Sequence, residues 1–248
     1  MRIVDCHAHF GRFAQTNVVC SDESSTLRAM DRAGVEKLCI SSFLSIGPDC
    51  RAGNDEVARA VRAHSDRLAG YAAVNPNRPA EIKDELERCF SRQGFKAIKL
   101  HPAFHKHPIG SSSYSHVFAF AQKHRKPILS HEWGTPDFLA KLSSEYPDAT
   151  FILAHTGFWD GRSDFPFAPV LRQRQNVFVD LVYSNIYYEA LERMVEHVGA
   201  DKILWGSDFP LHDIGYQLGR VAFSRLDDAA REKILGGTML RILGEDRE

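Results

Sequence analysis

The chain has 248 residues, 44% of them hydrophobic and 25% charged, with a formal net charge of −1. That is ordinary globular composition, long enough to bury a large core, and it lacks the basic excess that nucleic-acid or membrane-surface partners require. No run approaches the ~20 apolar residues of a membrane helix. No signal peptide is expected at the N-terminus. The five cysteines form no Cys-x-x-Cys pair and are odd in number, so reduced thiols of a cytoplasmic protein are expected.

Met1-Arg2-Ile3-Val4 leads into Asp5-Cys6-His7-Ala8-His9-Phe10-Gly11, which reads as the end of a first strand. Side chains alternate along a strand, so His7 and His9 share a face and Cys6 points outward into packing. A polar loop, Gly11 to Ser25, precedes a helix over Thr26–Gly34 that Ser25 caps and Gly34 stops. Strand two is Glu36–Phe43. Asn54 caps a helix from Asp55 to His64 whose Val57, Ala58 and Val61 form an apolar stripe. Strand three is Leu68–Val74, and the helix Pro79–Arg92 begins with a proline where a missing N–H costs little.

Strand four is Phe95–Pro102, and the loop after it carries His105 and His107. Helix Tyr114–Arg125 leads to strand five, Pro127–His131. The loop Glu132-Trp133-Gly134 leads to a helix ending at Tyr146. Strand six is Ala149–His155, followed by the loop Thr156–Gly161 and a helical turn near Phe167–Gln175. Strand seven is Asn176–Leu181, helix Tyr188–Val198 stops at Gly199, and strand eight is Lys202–Asp208. Helices over Asp213–Leu226 and Asp227–Leu243 close the chain.

Eight short apolar strands, each followed by a helical segment at about one unit per 30 residues, predict a single α/β domain over 1–248, a (β/α)8 TIM barrel. An open doubly wound sheet is the alternative, but only closure brings the ends of strands one and eight together. In a barrel, functional groups gather at the C-terminal ends of the strands. His7, His9, His131, His155 and Asp208 all stand there. Neutral imidazoles with a carboxylate suit zinc, and also manganese, iron or cobalt. Asp208 is expected both to bind metal and to take a proton, and His155 either to ligate or to act as acid/base. Lys99 and His101 share the inward face of strand four and are candidate substrate-binding residues. Lys99 either binds an anionic substrate, pairs with a carboxylate, or is carbamylated to bridge two metals. Trp133, Phe158 and Trp159 either wall a pocket for a flat substrate or pack the barrel rim.

The chain resembles the amidohydrolase superfamily, most of all the branch called amidohydrolase 2, which includes aminocarboxymuconate-semialdehyde and resorcylate decarboxylases. The resemblance rests on Asp5-Cys6-His7-Ala8-His9, on Gly94 to Pro102, on His131, on Leu153-Ala154-His155-Thr156-Gly157, on Leu204 to Pro210 and on Lys233 to Arg241. It implies His7, His9, His131 and Asp208 as ligands of one divalent ion, zinc first, with His155 activating water or substrate. The expected reaction is hydrolysis of an amide, ester or lactone of a small molecule by a metal-bound water. Non-oxidative decarboxylation is the alternative, and an inactive ligand-binding barrel is the alternative of another class. A homodimer is expected from the branch.

Overall fold

The computed structural model describes residues 1–13, 21–159, 163–182 and 187–246. Residues 14–20 of the loop after strand one (with Cys20), Asp160 and Gly161 of the loop after strand six, and 183–186 lie outside the described residues. The eight strands are β1 (Val4–Phe10), β2 (Lys37–Ser42), β3 (Leu68–Ala73), β4 (Ala97–Leu100), β5 (Pro127–Ser130), β6 (Thr150–Leu153), β7 (Val177–Asp180) and β8 (Ile203–Leu204). They pair in parallel in sequence order. Backbone hydrogen bonds from Cys6 N to Trp205 O, 3.0 Å, and from Asp208 N to His7 O, 2.8 Å, tie the last strand back to the first. The result is the nearly closed (β/α)8 barrel that the alternation predicts.

Alternate residues of each strand face two different cores. Leu38, Ile40, Ile98, Ile128, Phe151 and Val179 pack outward under the helices, whereas Cys39, Ala69, Tyr71, Leu129, Ile152 and Phe178 fill the barrel. Cys6 belongs to the inner set, which corrects the outward placement. The reason is a bulge. Asp5 pairs with Leu38 and Ala8 with Ile40, so two residues of β1, Cys6 and His7, stand opposite one of β2. The extra residue breaks strict alternation and lets Cys6 and His7 both reach the interior.

The helices are α1 (Glu23–Ala33), α2 (Cys50–Ala63), α3 (Pro79–Arg92), α4 (Pro102–His105), α5 (Ser115–His124), α6 (Pro136–Glu145), α7 (Ala168–Gln173), α8 (Ala190–Val198), α9 (Ile214–Ala222), α10 (Asp228–Glu232) and α11 (Thr238–Leu243). Two of them start earlier than their expected caps. Asp22, not Ser25, caps α1 by accepting from Ser25 N at 2.7 Å. Asp49 rather than Asn54 caps α2. The Asn54 amide instead donates to Ala73 O and accepts from Ala73 N, pinning α2 to β3. Both segments held two cap-type residues a few positions apart, and the earlier aspartate lengthens the helix by a turn.

A π-helical turn, Lys233–Gly237, lies between α10 and α11. Its Ile234 carbonyl accepts from Trp205 N at 2.9 Å. Gly236 sits so close to β1 that a Cβ would lie 2.3 Å from Arg2 O. The C-terminal segment therefore braces β1, which carries His7 and His9, and the end of β8, which leads to Asp208. Among the described residues no helix is long and apolar enough to cross a membrane.

Candidate metal centre

β1 delivers His7 and His9 to the interior, β5 ends one residue before His131, β6 two before His155, and the segment after β8 supplies Asp208. His7 is shared by two clusters of close donor atoms, one with His131 and His155, the other with His9 and Asp208. The four expected ligands thus converge through His7, while His131 itself keeps closer company with His155, whose Nε2 is 3.2 Å from its own.

The tautomers follow from the partners. His7 Nδ1 lies 2.8 Å from Asp180 Oδ2, so the ring donates there and presents a bare Nε2 to the interior. His155 Nδ1 faces the Val182 carbonyl at 2.5 Å, which likewise leaves Nε2 as the acceptor. Asp180 also accepts from His155 N and Val182 N through Oδ1. One buried carboxylate thereby orients two candidate functional histidines, the outer-shell arrangement that fixes metal-binding imidazoles.

The Asp208 side chain is buried, and its Oδ1 receives no hydrogen bond. His9 Nε2 stands 3.1 Å from that oxygen and His7 Nε2 3.7 Å. A buried carboxylate oxygen without a donor is costly. A divalent cation among His7, His9, His131 and Asp208 removes that cost, and imidazole with carboxylate is a donor set that zinc and manganese both accept. The residues fit the group.

Burial holds His7 and His131 well below the ordinary histidine range, with the nearby Lys99 charge adding to it. Burial lowers His9 and His155 as well, so the imidazoles are neutral, as ligands must be. Asp180 is pushed up to about 6 by burial.

Lys99 is fully buried and its Nζ lies 2.5 Å from Nε2 of His7, the residue common to both clusters. Burial pulls it down to about 8, against the attraction of Asp208 and Asp180. His101 is pushed down to about 2 by burial and then by Lys99. Its Nδ1 accepts from Phe104 N at 3.3 Å, and its ring lies between Phe104 and His131, each with centroids 3.7 Å away. That contact continues outward. Phe104 stacks on Phe13, Phe13 on Phe43, and Phe43 on His9. One side of the barrel mouth is a belt of stacked rings.

The residues that close the mouth hold unusual backbone. His155, Thr156 and Phe158 have φ of 56°, 54° and 60°, and Asp208 has 59°. Left-handed conformations are unfavourable for residues with a Cβ and persist where surrounding structure enforces them.

A family model for amidohydrolases matches residues 4–244. The chain belongs to the amidohydrolase family. Its fold is shared by a putative amidohydrolase from Staphylococcus aureus, at 16% identity over 98% of this chain and 100% of that one, TM-score 0.79. 2,6-Dihydroxybenzoate decarboxylase from Rhizobium matches at 19% identity over 99% of each chain, TM-score 0.78. A dihydroxybenzoic acid decarboxylase from Polaromonas matches at 17% identity over 100% of this chain and 98% of that one, TM-score 0.78; its structure holds manganese and the inhibitor 2-nitroresorcinol. At these identities the likeness is one of fold.

Within this amidohydrolase, sequence reasoning passed over Asp180, although it ends the apolar run Val177-Phe178-Val179 just as Asp208 follows β8. Asp5, quoted in the opening motif without a role, accepts through Oδ1 from His7 N and Ser207 N, both at 3.0 Å, joining β1 to the Asp208 segment. The two tryptophans part company. Trp133 backs a cleft beside His131, with its indole N–H donated to Ile152 O. Trp159 is buried against Phe165 with its N–H on Ser163 O, and it does not line that cleft. His107 bonds Ser111 in its own loop and Asn77 in the segment after β3.

Proposed function

We propose that this amidohydrolase is a divalent-metal-dependent enzyme that removes carbon dioxide, without oxidation, from a small planar carboxylic acid. The observation that carries the reading is the buried Asp208 Oδ1, which has no hydrogen bond and faces two imidazole nitrogens. His7, His9, His131 and Asp208 would hold the ion, manganese or zinc. When bound, the ion supplies a Lewis acid that polarises and positions substrate oxygens.

The chain's own groups supply the rest. Lys99 sets a positive charge at the floor of the site, where it attracts a substrate carboxylate. The stacked rings from His9 to His101 offer flat walls that suit an unsaturated ring. His155, held through Nδ1 by Val182 O, keeps Nε2 as the atom that takes and returns a proton. Likeness in fold to decarboxylases of dihydroxybenzoates supports this choice among the chemistries open to the family.

Hydrolysis of an amide, ester or lactone is the second reading. The family that the chain matches supports it, and Asp208, beside His9 and His7, is the carboxylate that would accept a proton from water. The two separate by product. Protein loaded with manganese or zinc is incubated with hydroxybenzoates and, in parallel, with lactones, esters and amides. Release of carbon dioxide that disappears in Asp208→Asn supports decarboxylation. Ring opening or acyl cleavage without carbon dioxide replaces it with hydrolysis. Full turnover by Asp208→Asn on either panel removes the metal-centre reading altogether.

A further inference from the structure

A cleft of about 540 Å³ opens beside the centre, between the segments that follow β4, β5 and β6. Small-molecule sites commonly occupy about 300–1,000 Å³ and are mostly apolar. Ile109, Phe138, Leu153, Phe158 and Phe167 line this one. His131 lines it too, so a candidate metal ligand forms part of its wall. Phe158 stands at the boundary, its ring stacked on His155 at 5.5 Å.

Glycines create the space. Gly110, Gly134 and Gly157 all line the cleft. Gly134 and Gly157 have φ of 67° and 59°, so backbone conformation alone favours glycine there. Gly110 is under no such constraint, and a Cβ on it would meet the Phe138 ring at 3.7 Å, ordinary contact. Glu132 is the charged carboxylate among the lining residues, and it repels an anionic occupant.

We propose that the substrate has two parts: a polar head at the His7–Asp208 centre and an uncharged apolar arm, aryl or branched alkyl, that extends past His131 into this cleft. The head follows the reading given under Proposed function; the arm adds the class of substituent. Gly110, Ile109 and Phe138 then decide which substituents are accepted.

Calorimetry with three probes tests the two parts separately. Indole represents the arm, 2-hydroxybenzoate the head, and 2-hydroxy-5-phenylbenzoate the two joined. The proteins are manganese-loaded wild type, Gly110→Leu and Ile109→Trp, each checked for folding by thermal unfolding. Indole is expected to bind wild type and to lose about tenfold or more in affinity in either variant, because the added side chain fills the cleft. The joined acid is expected to bind wild type about tenfold tighter than 2-hydroxybenzoate, a gain that Gly110→Leu abolishes. Equal indole affinity in wild type and a folded variant overturns the proposal, as does a joined acid no tighter than the head alone. Should indole behave as expected while 2-hydroxybenzoate fails to bind, the arm site stands and the reading of the head falls.

Discussion

His7 and Asp180 meet across the interior of the barrel, Nδ1 to Oδ2 at 2.8 Å, from strands 173 residues apart in sequence. The contact fixes which nitrogen of His7 faces the centre, and the same carboxylate holds His155 through its backbone N–H. The neutral amide in Asp180→Asn can turn its NH2 toward His7 and drive the ring to the opposite tautomer. Metal affinity should fall about 10- to 100-fold. Competition with a fluorescent chelator measures it, and unchanged affinity would remove Asp180 from the centre.

Lys99 competes for the atom that metal binding needs. Its ammonium donates to His7 Nε2, and a divalent ion nearby would repel it. Lys99→Met should therefore bind one ion about tenfold more tightly, yet lose about 100-fold in turnover of an anionic substrate. Elemental analysis on the same variant has a second use. A fall from two ions per chain to one would identify Lys99 as carbamylated and bridging.

Stability at low pH should depend on Glu85. It accepts from Asn54 and pairs with Arg88 at 2.6 Å. Burial pushes its carboxyl up, but the Arg88 and Asn54 hydrogen bonds hold it below the ordinary value of 4.5. A depressed carboxyl stabilises the folded chain above its unfolded value, and that contribution is lost as pH falls through the folded one. Glu85→Gln should cost about 1 kcal/mol at pH 7. The difference from wild type should shrink toward zero below about pH 4. Urea denaturation across that range reads it, and a difference independent of pH would contradict the assignment.

Gly236→Ala should destabilise the barrel, since the new methyl would lie 2.3 Å from the Arg2 carbonyl. The π-helical turn must move away from β1, at about 1–3 kcal/mol. Because that turn also holds Trp205 N, metal affinity should weaken in parallel. Thermal unfolding with and without added manganese measures both effects.

The barrel and its candidate ligands were legible because each strand is a short apolar run and the candidate ligands stand in the second half of their strands or beyond them. Periodicity carries that information locally. It fails where one residue is inserted: the bulge at Cys6 and His7 breaks alternation without any glycine or proline to mark it. Asp180 carried the same strand-end signal as the ligands, but its role lies in a partner far away in sequence. The cleft beside His131 is assembled from three connecting segments with no shared pattern. Trp133 and Phe158 read as candidate pocket-wall residues from their places after strands five and six, whereas Ile109, Phe138 and Phe167 carry no such signal.

Closure of β8 onto β1 has a consequence for how the protein is made. Cys6 waits for Trp205, and His7 and His9 wait for Asp208. At synthesis rates of about 5–20 residues per second, the first two candidate ligands precede the last by ~10–40 s. Throughout that interval His7 and His9 sit on an unpaired strand edge. A centre built from His7, His9 and Asp208 would therefore be complete only at the end of synthesis, and chains interrupted before residue 208 would lack its carboxylate. If a divalent ion binds across the β1–β8 closure, metal supplied during refolding should raise the yield of closed barrels more than metal added afterwards.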